Sequence, residues 1–575
     1  MIARNRWITG LLAGVVVLWL SNGLQADNER APDHAKVMES LELFTRVFEK
    51  INTYYVDEDV DPQQLIQRAI DGMLEGLDPH SQFLDTRQYD DLMMSTQGSF
   101  GGLGIEISVR DKYPTVVAPI EGTPAYNQGV QGGDKIIEIE GEDTYGWAIS
   151  QAIAKLRGPK GTEVHFKVGR EGMDKPVEFS VVRDIIEIES VRYAFKIGDI
   201  GYVRAINFAQ DTADELEARL KELEAEGIKG LILDLRYNPG GLLRAARDVS
   251  QLFLDSGKKI VFTRGRTPRQ NADYYSTQPK TKVFGDHYPV VVLINEGSAS
   301  ASEIVAGALQ DWDAALIVGE PSFGKGSVQT VYPLSETEAL KLTTAKYYTP
   351  SGRCIHNDAR EAGEPARDAG APDEASDDEV TDGRVGDESD RIKEMAARRE
   401  SPDPAETFRT VGGREVFGGG GIVPDIIVSQ PNLTDFAMDL ERRNFFFRFA
   451  ITHIAKHSEV HEVVVTPEMI EDFKAQLADA EFEYEQETFD ANYEYVERGI
   501  RRELARRLFG SKAAYLVTIE GDDQLKKALD LFEHGATVNE LYVVSADDLH
   551  PVATETMKRL LDSQKRASSD RPVQR

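Results

Sequence analysis

Two stretches of the chain carry apolar residues almost without interruption, Gly230-Leu-Ile-Leu-Asp-Leu235 and Val290-Val-Val-Leu-Ile294. A strand with one wet face alternates polar and apolar residues. A run with no polar face belongs inside a sheet that is covered on both sides. A turn and a helical pattern follow each run, which predicts α/β layering over residues 199–350. A further strand is expected at Ile200–Phe208. Next comes a helix with Leu216, Leu220 and Leu223 on one face, opened by a capping box, Thr212-Ala-Asp-Glu215. Two later strands, near Val328–Leu334 and Ala339–Tyr348, have no helical pattern between them.

The rest of the 575 residues divides by texture. At roughly 100–200 residues per domain the length allows several domains. Residues 35–94 repeat apolar side chains at helical spacing, from Val37, Leu41 and Phe44 to Leu77 before Asp78-Pro79, and show no chemistry of their own. From Gly98 the chain turns glycine-rich and strand-like. Gly101-Gly-Leu-Gly-Ile105 is a loop feeding a strand, and short strands follow near Thr115–Ala118, Gly132–Ile139, Val164–Val168 and Val177–Val181, with a helix near Gly146–Leu156. Backbone N–H groups in such a loop suit a terminal carboxylate, and the peptide behind it can add as an extra strand. Residues 358–390 hold 13 Asp/Glu against 3 Arg, with valine the only large aliphatic, and cannot bury a core. The pattern predicts a disordered acidic insertion over 358–405, ordered chain again to 430, and a mostly helical extension over 431–562 with a helix start at Thr466-Pro467.

The first residues form an export signal. Arg4 and Arg6 precede an apolar run from Trp7 to Leu20, and small or polar residues lead to Ala26. This is a cleavable signal peptide over 1–26, or else a retained anchor in the inner membrane; both carry the remainder across a membrane. The net charge of -32 repels phosphate backbones and makes nucleic acid a poor partner. One cysteine, Cys354, excludes an internal disulfide framework.

Chemistry concentrates where the Val290–Ile294 run ends. Asn295-Glu-Gly-Ser298-Ala-Ser300-Ala-Ser302-Glu303 links it to an apolar helix at Ile304–Leu309. A serine on a tight strand-to-helix turn is exposed among small neighbours, and a helix N-terminus offers N–H groups to an anionic intermediate. The literal nucleophile-elbow pattern is absent, and Ser302 reads as the N-cap. Lys325 lies 25 residues beyond Ser300, in Gly319-Glu-Pro-Ser-Phe-Gly324-Lys325-Gly326-Ser-Val-Gln329. A lysine is a base only when neutral. Near its ordinary pKa of about 10.4 only about 0.04% is neutral at pH 7, so burial must lower that pKa by roughly 2–3 units. Gln329 supplies an amide that orients an amine without stabilising its charge. A phosphate-binding loop is the rival reading of Gly319–Lys325, but Gly326 stands where Ser or Thr must hold magnesium.

Other candidates are weaker. His453, His457 and His461 share helical spacing but do not form H-E-x-x-H, and no metal site is expected. Asp286-His287 sits at the wrong end of its strand to serve Ser300. Cys354 has no histidine partner in sequence, and Phe445-Phe-Phe447 with Phe449 reads as a buried interface stripe.

Asp234-Leu-Arg236-Tyr-Asn238-Pro-Gly240-Gly241, Ser298-Ala-Ser-Ala-Ser302-Glu303, Lys325 to Gln329 in its glycine loop, and Gly419-Gly-Gly-Ile422-x-Pro424-Asp425 together resemble the C-terminal processing proteases, also called tail-specific proteases. The resemblance spans about 35–430 apart from the insertion. It implies a multidomain α/β architecture: a PDZ domain over 97–185 and a crotonase/ClpP-like α/β catalytic core over 190–357 and 406–430, flanked by helical regions over 35–96 and 431–562. It implies a serine endopeptidase of the bacterial cell envelope, in the periplasm of a Gram-negative organism, with a Ser300/Lys325 dyad assisted by Gln329 and an acyl-enzyme intermediate. Backbone N–H groups of Gly241 and Ala301 map to the oxyanion hole. Gly102, Leu103, Gly104 and Ile105 map to the tail-binding loop. Arg157 resembles an arginine that couples the PDZ domain to catalysis. Implied partners are proteins with apolar C-termini, an adaptor protein and further copies of the chain, a homodimer or higher, with the helical regions as dimer arms; no cofactor is implied. A scaffold that binds tails with a vestigial core is the alternative, and it predicts binding without hydrolysis.

Overall fold

The computed structural model describes residues 34–57, 60–171, 173, 175–277, 288–357, 407–457, 463–535 and 537–543. The expected signal peptide, the acidic insertion, Asp286-His287, His461 and the residues after 543 lie outside them. Among the described residues no helix is long and apolar enough to cross a membrane. The chain divides into two units, Met1–Leu77 and Asp78–Arg575. Of the first, the described part is two helices, His34–Tyr54 and Pro62–Glu75, the second capped by Asp61, whose side chain accepts from Gln63 N.

The second unit is built around a six-stranded sheet in the order Val191–Ile197, Ile200–Ala205, Gly230–Asp234, Val290–Ile294, Leu316–Gly319, Ile426–Ile427. The first pair is antiparallel and the rest are parallel. The two uninterrupted apolar runs are its central strands, and every residue of both is buried. The connecting helices Thr212–Ala225, Leu243–Ser250 and Ala301–Asp311 pack with Val203, Leu231, Leu233, Val292 and Ile317. The opposite face, carrying Tyr202, Ile232, Val291, Leu293 and Val318, is covered by Leu516, Leu525, Ala528 and Leu531 from the C-terminal helices Ser511–Thr518 and Asp523–Phe532, and by Ile519 in the turn between them. Part of the expected helical extension over 431–562 thus packs on the sheet of its own chain. A parallel sheet must be covered on both faces, and the chain uses its C-terminal helices for the second. Helices between 435 and 509 form a separate core in which Phe445, Phe446 and Phe449 are buried together, while Phe447 lies under the Arg110 guanidinium.

A buried ionic cluster fastens the C-terminal helices to the sheet. Arg236 pairs with Asp234 and Asp522, both at 2.6 Å, and donates to Gln524 Oε1 at 2.9 Å. The Asp-Leu-Arg segment that helped mark the resemblance is thus a structural tie.

A second, antiparallel sheet holds Gln82–Leu84, Ala339–Tyr348, Lys259–Gly265 and Ala272–Tyr275, with Ser327–Pro333 paired to Ala339–Tyr348. The strand at Gln82–Leu84 departs from the all-helical expectation for 35–94. The turn at Asp78–Ser81 ends the helical pattern, and the chain then pairs its backbone with Ala339–Lys341. The third sheet runs Ile105–Arg110, Tyr113–Pro119, Lys135–Ile139, Glu163–Gly169, Val177–Val182, so that Ile105–Arg110 is an edge. The helix Ile149–Leu156 packs Ala152 and Leu156 in the same core as Leu103.

Two expected caps form differently. Thr212 is the first helical residue rather than the cap, and Glu215 accepts from Val191 N at 2.9 Å instead of closing a box. Ser302 is inside its helix and donates to Asn238 O at 2.8 Å, while Ser300 holds the N-cap position.

Candidate active site

Ser300 stands where the Val290–Ile294 strand turns into the helix Ala301–Asp311. Its backbone is left-handed, φ 53° and ψ -110°, a conformation that costs a non-glycine residue about 1–3 kcal/mol and persists only where its surroundings enforce it. The enforcing contacts come from two sides. Ser298 Oγ accepts from Asn295 N at 3.0 Å and donates to Leu235 O at 2.8 Å, and Ala299 N donates to Asn238 O at 3.0 Å. The Ser300 side chain makes no capping hydrogen bond, which leaves Oγ for other use.

Lys325 arrives on the loop between the Leu316–Gly319 and Ser327–Pro333 strands. A strand, not a helix, follows the loop, so the phosphate-loop reading fails on geometry as well as on Gly326. The two segments are cross-linked by one side chain. Glu303, fully buried, accepts from Ser300 N at 2.7 Å and Lys325 N at 2.9 Å through Oε2, and from Gly324 N at 2.7 Å and Ser322 Oγ at 2.6 Å through Oε1. Burial pushes its pKa up, against the pull of those four donors. Tyr347 OH makes a second link, donating to Ser300 O at 3.0 Å and also to Lys325 O. Phe323 N to Ser298 O, at 3.0 Å, is a third. Gly324 needs its freedom: its φ is +93°, and a Cβ there would lie 2.9 Å from Asn357 Cβ.

Gln329, four residues past Lys325, donates from Nε2 to Ser327 Oγ at 3.0 Å and Thr343 Oγ1 at 3.3 Å. Gly240 lies against the Ser300 turn: a Cβ on it would be 2.8 Å from both Ser300 Cβ and Ala301 N. Gly240 N donates to Asn238 Oδ1 at 2.9 Å. Among the described residues neither Gly241 N nor Ala301 N has an acceptor. In the edge-strand loop the same holds for Leu103 N and Gly104 N, while Gly101 O accepts from Gly158 N at 3.1 Å. Arg157 is not brought to Ser300. Its guanidinium pairs with Asp91 at 3.1 Å and lies 4.7 Å from the Phe100 ring centroid.

Sequence reasoning missed the supports. Glu303 was visible as an acid three places into a helix, the capping-box position; Tyr347 carried no local signal. Asp78 and His80 also border the site from a segment read as free of chemistry. Burial works against Asp78, but hydrogen bonds from Ser81, His80 N and Thr343 hold its pKa down. Burial, then the positive charge of Lys325, depress the His80 imidazole to about 4, with Asp78 opposing and Lys341 and His356 adding to the fall. His453 and His457 lie side by side, ring centroids 4.4 Å apart, with His453 stacked on Phe449; no group of three metal-binding side chains occurs among the described residues.

The chain matches peptidase family S41 over residues 199–362, the PDZ domain over 91–169 and the activating protease CtpB N-terminal domain over 17–88. It is 44% identical over 353 residues to a carboxy-terminal-processing protease of Bartonella bacilliformis, covering 61% of this chain and 79% of that one. The chain belongs to the C-terminal processing proteases. It is a PDZ-containing serine-type peptidase. Carboxy-terminal processing protease CtpB of Bacillus subtilis is 36% identical over 339 residues, 58% of this chain and 67% of its own. Among solved structures, a photosystem II D1 C-terminal processing protease is 29% identical, covering 55% of this chain and 89% of that one, with a TM-score of 0.32.

Two outcomes are expected of this protease. Replacing Glu303 by Gln puts an amide donor against backbone N–H donors. Chemical denaturation of Glu303→Gln should show a loss of at least about 2 kcal/mol, and peptidase activity should fall about a hundredfold or more. The His80 pKa is about 6.5 when unfolded and about 4 when folded, so the unfolded chain binds more protons between those values. Stability should fall as pH drops from about 6.5 to about 4, and His80→Asn should flatten that part of the stability–pH curve.

Proposed function

We propose that this protease captures substrate C-termini in its PDZ domain and cleaves their chains with a Ser300/Lys325 dyad. One observation carries the reading: a single oxygen, Glu303 Oε2, accepts both Ser300 N–H and Lys325 N–H. Two loops 25 residues apart in sequence are thereby held together at the end of the sheet, with the serine hydroxyl unspent.

In the proposed cycle, neutral Lys325 Nζ takes the Ser300 Oγ proton as Oγ bonds to the scissile carbonyl carbon. The oxyanion sits on Gly241 N–H and Ala301 N–H; Gly240 N–H is already engaged by Asn238, which favours Gly241 as the second donor. Collapse breaks the C–N bond, Lys325 returns the proton to the leaving amine, and water hydrolyses the acyl ester. Gln329 orients the amine. The rate should rise with pH as Lys325 loses its proton.

The tail would bind along the Ile105–Arg110 edge, with its carboxylate on the loop Gly102–Ile105. The hydrogen bond from Gly158 N to Gly101 O joins that loop to Arg157, which supports a coupling role: a bound tail would move Arg157 off Asp91. The export signal in the sequence supports action on cell-envelope proteins in the periplasm. The helix His34–Tyr54 exposes Val37, Leu41, Phe44, Val47 and Ile51, a face suited to a second copy of the chain.

Mass spectrometry of an unfolded protein with an apolar C-terminus should show fragments with the wild type and none with Ser300→Ala or Lys325→Ala. Cleavage by either variant would overturn the dyad; tail binding without cleavage by the wild type would favour the scaffold. Light scattering at micromolar concentration should give a dimer or larger, and Leu41→Glu with Phe44→Glu should give a monomer. A monomeric wild type would remove the assembly proposal.

A further inference from the structure

The Gln329 amide has a polarity, and the proposed dyad makes that polarity matter. A neutral lysine amine has two N–H bonds and one lone pair, and only the lone pair can take the Ser300 proton. An acceptor beside the amine engages an N–H and leaves the lone pair open. A donor there would occupy the lone pair and compete with Ser300. Turning the amide by half a rotation exchanges one case for the other.

Two hydroxyls hold Nε2, those of Ser327 and Thr343. A hydroxyl can donate or accept, so by itself it does not distinguish the two ends of an amide. Thr343 differs, because its single proton is committed. Its Oγ1 donates to Asp78 Oδ1 at 3.0 Å. An ionised carboxylate only accepts, so the lone pairs of Thr343 Oγ1 are what face Gln329, and they require the N–H₂ end.

Asp78 is in turn fixed. Oδ1 accepts from His80 N at 2.8 Å and Ser81 N at 2.9 Å, and Oδ2 from Ser81 Oγ at 2.7 Å. Ser81 Oγ accepts from Thr343 N at 3.1 Å, which closes the loop on the strand that carries Thr343. The register does the rest. Between Val328 and Gln329 the pairing partner jumps from Ala345 to Thr343, a bulge that sets Thr343 opposite Gln329.

We propose that Thr343 is a positioning residue for the protease reaction: with Asp78 behind it, its hydroxyl fixes the end of the Gln329 amide that faces Lys325. The proposal rests on the Ser300/Lys325/Gln329 reading above.

The test is steady-state cleavage of a peptide with an apolar C-terminus by the full chain. The variants are Thr343→Val, Thr343→Ser, Gln329→Ala, the double variant Thr343→Val with Gln329→Ala, and Lys325→Ala. Thr343→Val should lower kcat about tenfold or more with KM unchanged, the expected cost of misorienting one hydrogen-bonding group. Thr343→Ser, which keeps the hydroxyl, should stay within about threefold of wild type. The double variant should be no slower than Gln329→Ala alone, because the two side chains act through one amide. An unchanged kcat for Thr343→Val, a serine variant as slow as the valine one, or multiplied losses in the double variant would each overturn the proposal. Cleavage retained by Lys325→Ala would overturn the dyad instead, a separate result. Melting temperatures are read on the same samples, and if Thr343→Val is unfolded at the assay temperature, Thr343→Ala replaces it under the same criteria.

Discussion

A carboxylate with no exposure to water, that of Glu303, sets the geometry of the whole site. Burying such a group is costly unless every lone pair finds a donor. Here four donors meet it: Ser300 N, Lys325 N, Gly324 N and Ser322 Oγ. Satisfying that one group therefore forces two loops from different strands into register. The left-handed backbone of Ser300 is the local cost of the arrangement, and the helix behind it, buried along its whole length, leaves no room for the loop to relax.

The surrounding fold protects this junction from both sides. The parallel sheet ends at the site, and its two faces are closed by different parts of the chain: the connecting helices on one, the C-terminal helices on the other. The Arg236 cluster connects those C-terminal helices to the strand that leads into Asn238 and Gly240. The segment after the acidic insertion closes the other flank. Ser322 N donates to Ile422 O at 3.1 Å, and Asp425 accepts from Ile317 N at 2.8 Å. The Leu316–Gly319 strand and the Lys325 loop are thus supported by residues about a hundred positions later in the chain.

The PDZ domain contributes an open sheet edge beside a loop with unsatisfied N–H groups, the geometry on which the proposed capture of an extended tail rests. The C-terminal helices reach it as well. Arg448 pairs with Asp111 at 2.5 Å, and the Arg110 guanidinium lies 3.5 Å from the Phe447 ring centroid. These contacts fall at the hairpin end of the edge strand, away from the loop Gly102–Ile105. In this arrangement Arg157 rests on Asp91 and Phe100, so any part it plays at Ser300 requires a movement.

Much of this was legible in the sequence. Two nearly uninterrupted apolar strands required a doubly covered sheet, because neither alternates polar with apolar residues. Small residues between Asn295 and Glu303 required a tight turn; the expectation that it is exposed fails, because Ser298, Ala299 and Ala301 are buried and Ser300 is half-buried. The joint motifs named the family, and the spacing of Lys325 between glycines with Gln329 four places on marked the loop that the structure brings against the Ser300 turn. Other features were decided only in three dimensions. Thr212 and Ser302 are good capping residues by composition, but neighbouring backbone groups claimed them for other bonds. Helical periodicity in residues 35–94 hid the strand Gln82–Leu84 and the carboxylate of Asp78, since three residues are too few to show a period and a partner strand some 250 positions away supplies the pairing. The same limit applied to Tyr347, Asp522 and Thr343. Sequence spacing determines which side chains share a face of one element; which elements meet is set by burial and hydrogen-bond satisfaction across the whole chain, and that only the tertiary structure decided.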